Sequence, residues 1–163
     1  MKAVVQRVAD ASVSVNGVVR GAIRRGLLVY LGVALDDNDK DADWLAEKIA
    51  NVRIFEDQDG KMNLSLLDIV NRPLNDVNKI VSEIPLGVLA VSQFTLLGDA
   101  RKGRRPSWGG AAPSEKAREL YIYFIEKIKE RGLICESGEF QARMDVTYTN
   151  EGPVTIILDS KMT

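Results

Sequence analysis

Ser92-Gln93-Phe94-Thr95 places two hydroxyls and a primary amide at the end of an otherwise apolar run, Val88-Leu89-Ala90-Val91. A continuous apolar run of this kind is the pattern of a strand buried on both faces. The polar groups at its end must find partners, because an unpaired buried one costs roughly 1–3 kcal/mol. Shortly after comes a basic stretch, Arg101-Lys102-Gly103-Arg104-Arg105. Fixed polar groups beside a basic loop suit an anionic substrate that is held and acted upon. A hydrogen-bonded strand cap and a solvated surface loop account for the same residues.

What the chain lacks narrows the chemistry further. There is no histidine, which removes Ser-His-Asp and Cys-His catalysis and every His-containing metal site. The single cysteine, Cys135, permits neither an intrachain disulfide nor a Cys-based zinc cluster, and in its apolar surroundings it is read as a buried structural thiol. The remaining oxygen ligands show no convincing metal spacing, so no metal and no cofactor is expected. A net charge of −1 supplies no global field toward nucleic acid, so any such binding must use a local patch. The N-terminus lacks the apolar stretch of a signal peptide and no window approaches a membrane span, which predicts a cytoplasmic protein without a membrane partner.

These residues must be positioned by the elements around them. The 163 residues, 45% apolar and 28% charged, fit one globular domain over residues 1–163. Ala3 to Val15 reads as a long strand, Asn16-Gly17 as a hairpin turn, and Val18 to Ile23 as the return. Gly26 opens a buried run to Val33. The acidic residues Asp36, Asp37 and Asp39 precede a helix of about Asp41 to Val52, where carboxylates favour the helix N-terminus. Lys61 to Leu66 alternates like a half-exposed strand. From about 70 to 86 the pattern is lost, and this stretch is read as an insertion. A second helix opens at Pro113-Ser114 and ends near Arg131, with Gly132 as its cap. Leu133 to Glu136, Met144 to Thr149 and Val154 to Leu158 complete the strands. The expected fold is α+β: an antiparallel, barrel-like sheet with two main helices packed on one side.

The last two strands are joined by Asn150-Glu151-Gly152-Pro153, by base rate a turn with a trans Gly-Pro bond. Together with Ala3-Val4-Val5-Gln6-Arg7-Val8, Arg53-Ile54-Phe55-Glu56-Asp57, Lys61-Met62-Asn63-Leu64-Ser65-Leu66, the Ser92–Leu96 block and Lys102-Gly103-Arg104-Arg105-Pro106-Ser107, this terminal Asn-x-Gly-Pro-Val-Thr motif resembles the D-aminoacyl-tRNA deacylase family. The six blocks occur in the family's order and span nearly the whole chain. The segment from Ile69 to Leu86 is longer than the family's usual turn, and Trp108 stands where phenylalanine is common.

The resemblance implies an editing hydrolase that cleaves the ester between a D-amino acid and the terminal adenosine of tRNA. It also implies a homodimer with active sites at the subunit interface. In the family the Gly-Pro bond is cis and enters the partner's site, which assigns chirality reading to Gly152 and Pro153. Ser92, Gln93, Phe94 and Thr95 match the catalytic strand that offers backbone amides. Arg7 matches an arginine that braces the Gly-Pro loop, and Met144 a pocket methionine. Lys102, Arg104 and Arg105 are expected to hold tRNA. An ester is already activated, so carbonyl positioning against fixed donors, each worth about 2.7–4 kcal/mol, suffices without histidine. Thr95 could attack, but the sequence offers no base to activate it. Water, assisted by the neighbouring ribose hydroxyl, is the preferred nucleophile, with Thr95 positioning. Selection by exclusion of L side chains would let glycyl-tRNA pass. The competing reading is a nucleic-acid-binding module without catalysis, which the basic loop supports equally.

Overall fold

The computed structural model describes residues 1–71 and 85–162. Its centre is one long strand, β1 (Lys2–Val15), which pairs along one edge with β8 (Asp145–Asp159). The other edge of β1 is shared: β3 (Gly26–Gly32) takes its first half and β2 (Val18–Ile23) its second. Asn16 and Gly17, with φ of 51° and 76°, make the β1–β2 hairpin turn that the sequence announces.

Beyond β3 lie β6 (Gly87–Ser92) and β7 (Ile134–Ser137). Both pairings are parallel, whereas β1, β2, β3 and β8 are antiparallel, so the barrel-like sheet is mixed. Parallel neighbours need a long crossover, usually a helix. Between β6 and β7 that crossover is α3 (Ser114–Glu130). Between β3 and β6 it includes α1 (Asp39–Asn51), the small ribbon of β4 (Phe55–Glu56) and β5 (Met62–Leu64), and α2 (Leu66–Val70). The sheet curls until β2 meets β7: a Cβ on Gly21 would lie 2.8 Å from the Ser137 carbonyl oxygen.

Helices α1 and α3 cover one face, where Leu45, Ile49, Phe124 and Ile128 pack on Val5, Leu27, Val29, Val88 and Ala90. The opposite face holds Val8, Ala11, Val13, Leu28, Leu89 and Val91. Cys135 is buried in the first of these cores, and burial pushes its thiol up to about 12.

Two local expectations change. The strand expected over 61–66 ends at Leu64, because Ser65 and Asp68 form a capping box that turns the chain into α2. The acidic residues ahead of α1 do more than favour its N-terminus. The buried α-ammonium of Met1 donates to Asp37 at 2.6 Å, and Lys161 lies 3.0 Å from Asp41. Burial raises the Asp41 carboxyl, but hydrogen bonds from Ser160, the Asn38 backbone and Lys161, with the ammonium charge, bring it down to about 2. Of the insertion expected at about 70–86, residues 72–84 lie outside the described residues. At its far end the Pro85 carbonyl accepts from the Arg24 backbone at 2.8 Å.

Candidate active site

Strand β6 delivers the Ser-Gln-Phe-Thr segment to one end of the sheet. Ser92 pairs with Leu31 of β3, and the Gln93 amide donates to the Leu31 carbonyl at 2.8 Å. The ladder with β7 has already stopped at Ala90 and Ser137. Freed on that side, the chain tightens into a 3₁₀ turn over Phe94–Leu97, closed by Gly98 donating to the Thr95 carbonyl at 3.0 Å. A turn that starts at Phe94 leaves the amides of Phe94 and Thr95 without an acceptor inside it. The Thr95 hydroxyl accepts a hydrogen bond from the Gln93 side-chain amide. Among the described residues no carboxylate or amine contacts that hydroxyl.

Ser92, Gln93 and Phe94 form one wall of a cavity of about 420 Å³, within the range of small-molecule sites. Its interior is apolar and aromatic, with Leu31, Val91, Tyr121, Phe140 and Met144 among the lining residues. Tyr121 donates to the Ala90 carbonyl at 2.8 Å, and burial pushes its phenol well above the ordinary range. Thr95 stands exposed beyond this wall, and Met144 lies on the lining.

Gly152 and Pro153 sit elsewhere. They interrupt the β1–β8 ladder: Thr155 pairs with Gln6 and Asn150 with Val8, so residues 151–154 stand opposite Arg7 alone. The Gly152-Pro153 bond is cis, and both residues are exposed. Beneath them Arg7, only 4% exposed, donates to the Ile54 carbonyl at 2.6 Å and to the Glu151 carbonyl at 3.3 Å. The Glu151 carboxylate lies 3.5 Å from Arg7 Nε and accepts from Arg25 Nε at 3.1 Å. Arg25 in turn rests over the Phe55 ring, 5.6 Å from its centroid. Asn150 ties the two ends of the bulge by donating to the Val154 carbonyl at 3.1 Å. Gly152 has φ 122°, and a Cβ there would stand 3.0 Å from Arg7 Nη2. Only glycine fits that conformation and that space without displacement.

The sequence reading did not single out Arg25 or Glu151. Their partnership joins positions 126 apart in the chain, and the only local hint is an arginine pair, Arg24-Arg25, beside a turn with no acidic neighbour. The described structure does not bring the strand end and the Gly-Pro bulge together within one chain: the cavity lining includes neither Gly152 nor Pro153.

The basic stretch is a loop hung between Asp99 and Ser107, whose backbones exchange two 2.9 Å hydrogen bonds. Arg101 is held by Asp99, with contacts of 2.6 and 2.9 Å. Those bonds keep the Asp99 carboxyl well below the usual range. Lys102, Arg104 and Arg105 are exposed and, among the described residues, have no ion-pair partner. No group of three or more Cys, Asp or Glu among the described residues could hold a metal ion. No helix there is long and apolar enough to cross a membrane.

The family model described as D-Tyr-tRNA(Tyr) deacylase matches residues 4–75 and 69–159, two segments that meet where the insertion is expected. The chain is 55% identical to a D-aminoacyl-tRNA deacylase of Koribacter versatilis, over 99% of this chain and 98% of that protein. It is 51% identical to one of Thermotoga petrophila, over 98% and 97%. A solved structure titled c-Myc DNA Unwinding Element Binding Protein superposes with a TM-score of 0.82 at 39% identity, covering 98% of each chain. The fold is also that of a probable eukaryotic D-amino acid tRNA deacylase, with TM-score 0.77 at 18% identity, covering 96% of this chain and 97% of that one.

Proposed function

Because the chain belongs to the D-Tyr-tRNA(Tyr) deacylase family, it hydrolyses the ester of D-aminoacyl-tRNA, and we propose that it does so at the Ser92–Thr95 strand end. The observation that carries the assignment of the site is the union of a nucleoside-sized, largely apolar cavity with a turn whose leading amides have no backbone acceptor among the described residues. The terminal adenosine enters the cavity against Phe140, Tyr121 and Met144, leaving its esterified ribose at the Phe94–Thr95 amides. Water attacks the carbonyl carbon, and the oxyanion that forms is held by those amides. The carbon–oxygen bond to the ribose then breaks, and the water's proton passes to the leaving oxygen with help from the neighbouring ribose hydroxyl. Thr95 positions. Its hydroxyl accepts from Gln93 and, among the described residues, has no base beside it, which supports water over threonine as nucleophile.

The working form is a homodimer in which each subunit's Gly152-Pro153 bulge completes the other's site. The separation of the two elements in one chain and the rigid bracing of an exposed bulge both support this. Against that wall an L-residue would drive its Cβ into the bulge, whereas a D-residue turns its side chain outward. Glycine has no Cβ and passes, so glycyl-tRNA is a substrate. Lys102, Arg104 and Arg105 hold the tRNA backbone. The protein acts in the cytoplasm, needs no metal or cofactor, and forms one domain with an insertion at about 70–86.

A nucleic-acid-binding role without catalysis is the second reading, favoured by the DNA-binding name of the 39%-identical structure. Incubation with D-tyrosyl-, glycyl- and L-tyrosyl-tRNA in parallel separates the two. Release of D-tyrosine and glycine but not L-tyrosine is expected. Binding of all three without release would establish the second reading, and resistance of glycyl-tRNA alone would overturn selection by exclusion.

A further inference from the structure

Between the cavity and the basic loop stand two aromatic rings that neither the barrel core nor the proposed chemistry uses. Phe94 is 58% exposed and Trp108 40%. They meet edge to face, with centroids 5.3 Å apart and an interplanar angle of 74°. Trp108 follows Ser107, the residue that closes the basic loop, and its ring packs over Gly98, where an added Cβ would lie 2.4 Å from Cζ3. Phe94 is itself part of the cavity wall. Cavity, Phe94, Trp108 and cationic loop therefore form one continuous track.

We propose that Phe94 and Trp108 form a stacking platform for the nucleotide that precedes the terminal adenosine. This deepens the deacylase reading and rests on it. If the adenosine occupies the cavity and the loop holds phosphates further along the strand, the intervening unpaired base lies over these rings. Exposed aromatics flanked by cations are how single-stranded nucleic acid is held without sequence readout, because every base has a stacking face. A second copy docked symmetrically through the patch would set its own Lys102, Arg104 and Arg105 against those of the first, so the rings themselves are left to a ligand even where the partner's bulge reaches the strand end. A polyanion satisfies both the rings and the charges.

The test compares D-tyrosyl esters of adenosine and of the dinucleotide cytidylyl-adenosine with D-tyrosyl-tRNA. In the wild-type protein, adding the penultimate nucleotide should raise kcat/KM by roughly tenfold or more, the value of one base on an aromatic ring. Trp108→Ala should abolish that gain through KM, so that within this variant the dinucleotide ester is cleaved no better than the adenosine ester. Trp108→Phe, which keeps a ring, should restore most of it. The salt slope for tRNA binding should be unchanged in Trp108→Ala, because no phosphate contact is lost. Equal loss on all three substrates, no loss on any, or dissociation of wild-type dimers to monomers in Trp108→Ala by light scattering would overturn the platform while leaving deacylation standing. Failure of the wild-type protein to cleave any D-ester would overturn the deacylase reading and the platform with it.

Discussion

The strand end at Ser92 grows out of completely buried residues, Val88, Leu89 and Ala90, in a strand bonded on both sides. The bulge at Gly152 stands on an outer strand and is fixed from below by Arg7, Glu151, Arg25 and Asn150. One region owes its place to apolar packing, the other to a polar brace around one buried guanidinium. The difference teaches where each is vulnerable. A packed strand end tolerates loss of a surface hydroxyl, because its backbone is held elsewhere. A braced bulge depends on a few groups and on the room left by one absent side chain.

Gly152→Ala is the sharpest way to break this comparison. The new methyl would stand 2.9 Å from Val154 Cγ2 and 3.0 Å from Arg7 Nη2, well inside van der Waals contact, in a backbone conformation that L side chains rarely adopt. Cleavage of D-tyrosyl-tRNA should fall by about 100-fold, as expected for a displacement of around an ångström at a reacting site. Stability, followed by thermal unfolding, should fall only by the roughly 1–3 kcal/mol of one strained residue, with the barrel still unfolding cooperatively. Mixing this variant with one disabled at the strand end should recover part of the activity in mixed dimers, and no recovery would mean that both elements serve the same subunit.

Neutralising Lys102, Arg104 and Arg105 together tests a third region that neither core nor brace supports. Affinity should drop similarly across tRNAs, and the slope of log K against log salt should flatten by about 0.7–0.9 per lost phosphate contact. An unchanged slope would assign the loop to solvent. Thr95→Ala should retain activity within about tenfold, the worth of one positioning hydrogen bond. An acyl adduct on Thr95 found by mass spectrometry of the wild type would reverse the assigned roles.

Arg25→Ala should have the smallest effect. The Arg25–Glu151 pair is half-exposed, and such pairs are worth at most about 1 kcal/mol. Turnover of D-tyrosyl-tRNA should drop only a few-fold, with Arg25→Lys nearly normal. The informative reading is the L-to-D ratio of rates, which should rise if the brace sets the wall and stay constant if Arg25 only adds stability.

Much of this arrangement could be read from residue types. Asn16-Gly17 announced its hairpin, and α3 runs within a residue or so of its expected bounds because Pro113 and Gly132 punctuate it. The Val88–Val91 run carried the sign of a strand covered on both faces, the usual signature of parallel pairing, yet an antiparallel sheet was expected. Hairpin-like spacing elsewhere outweighed it. Gly-Pro in the sequence predicts two final strands, whereas β8 continues past the bulge on its ladder with β1. Ser92–Thr95 and Gly152-Pro153 stood out through local composition and family resemblance. Arg25 and the Phe94–Trp108 contact did not, since each arises only when distant or non-alternating positions are folded together.

The cavity lining has a further consequence, for acidity. Among the described residues Tyr121 is the only one on it able to ionise, and burial carries that phenol away from neutrality. With the adenosine in this cavity, the substrate's own α-amine, a class that titrates at about 7.7–8.0 in peptides, is the group expected to change protonation near physiological pH. Any inflection of kcat/KM in this region should follow the amino acid and not the protein. It should vanish when the amine is replaced by a hydroxyl, as in a D-phenyllactyl ester of adenosine. An inflection that survives the replacement would place an ionising side chain at the reacting bond. Without one, the protein's chemistry is set by shape and fixed dipoles, and a shift of pH changes the state of its cargo while leaving the catalyst as it was.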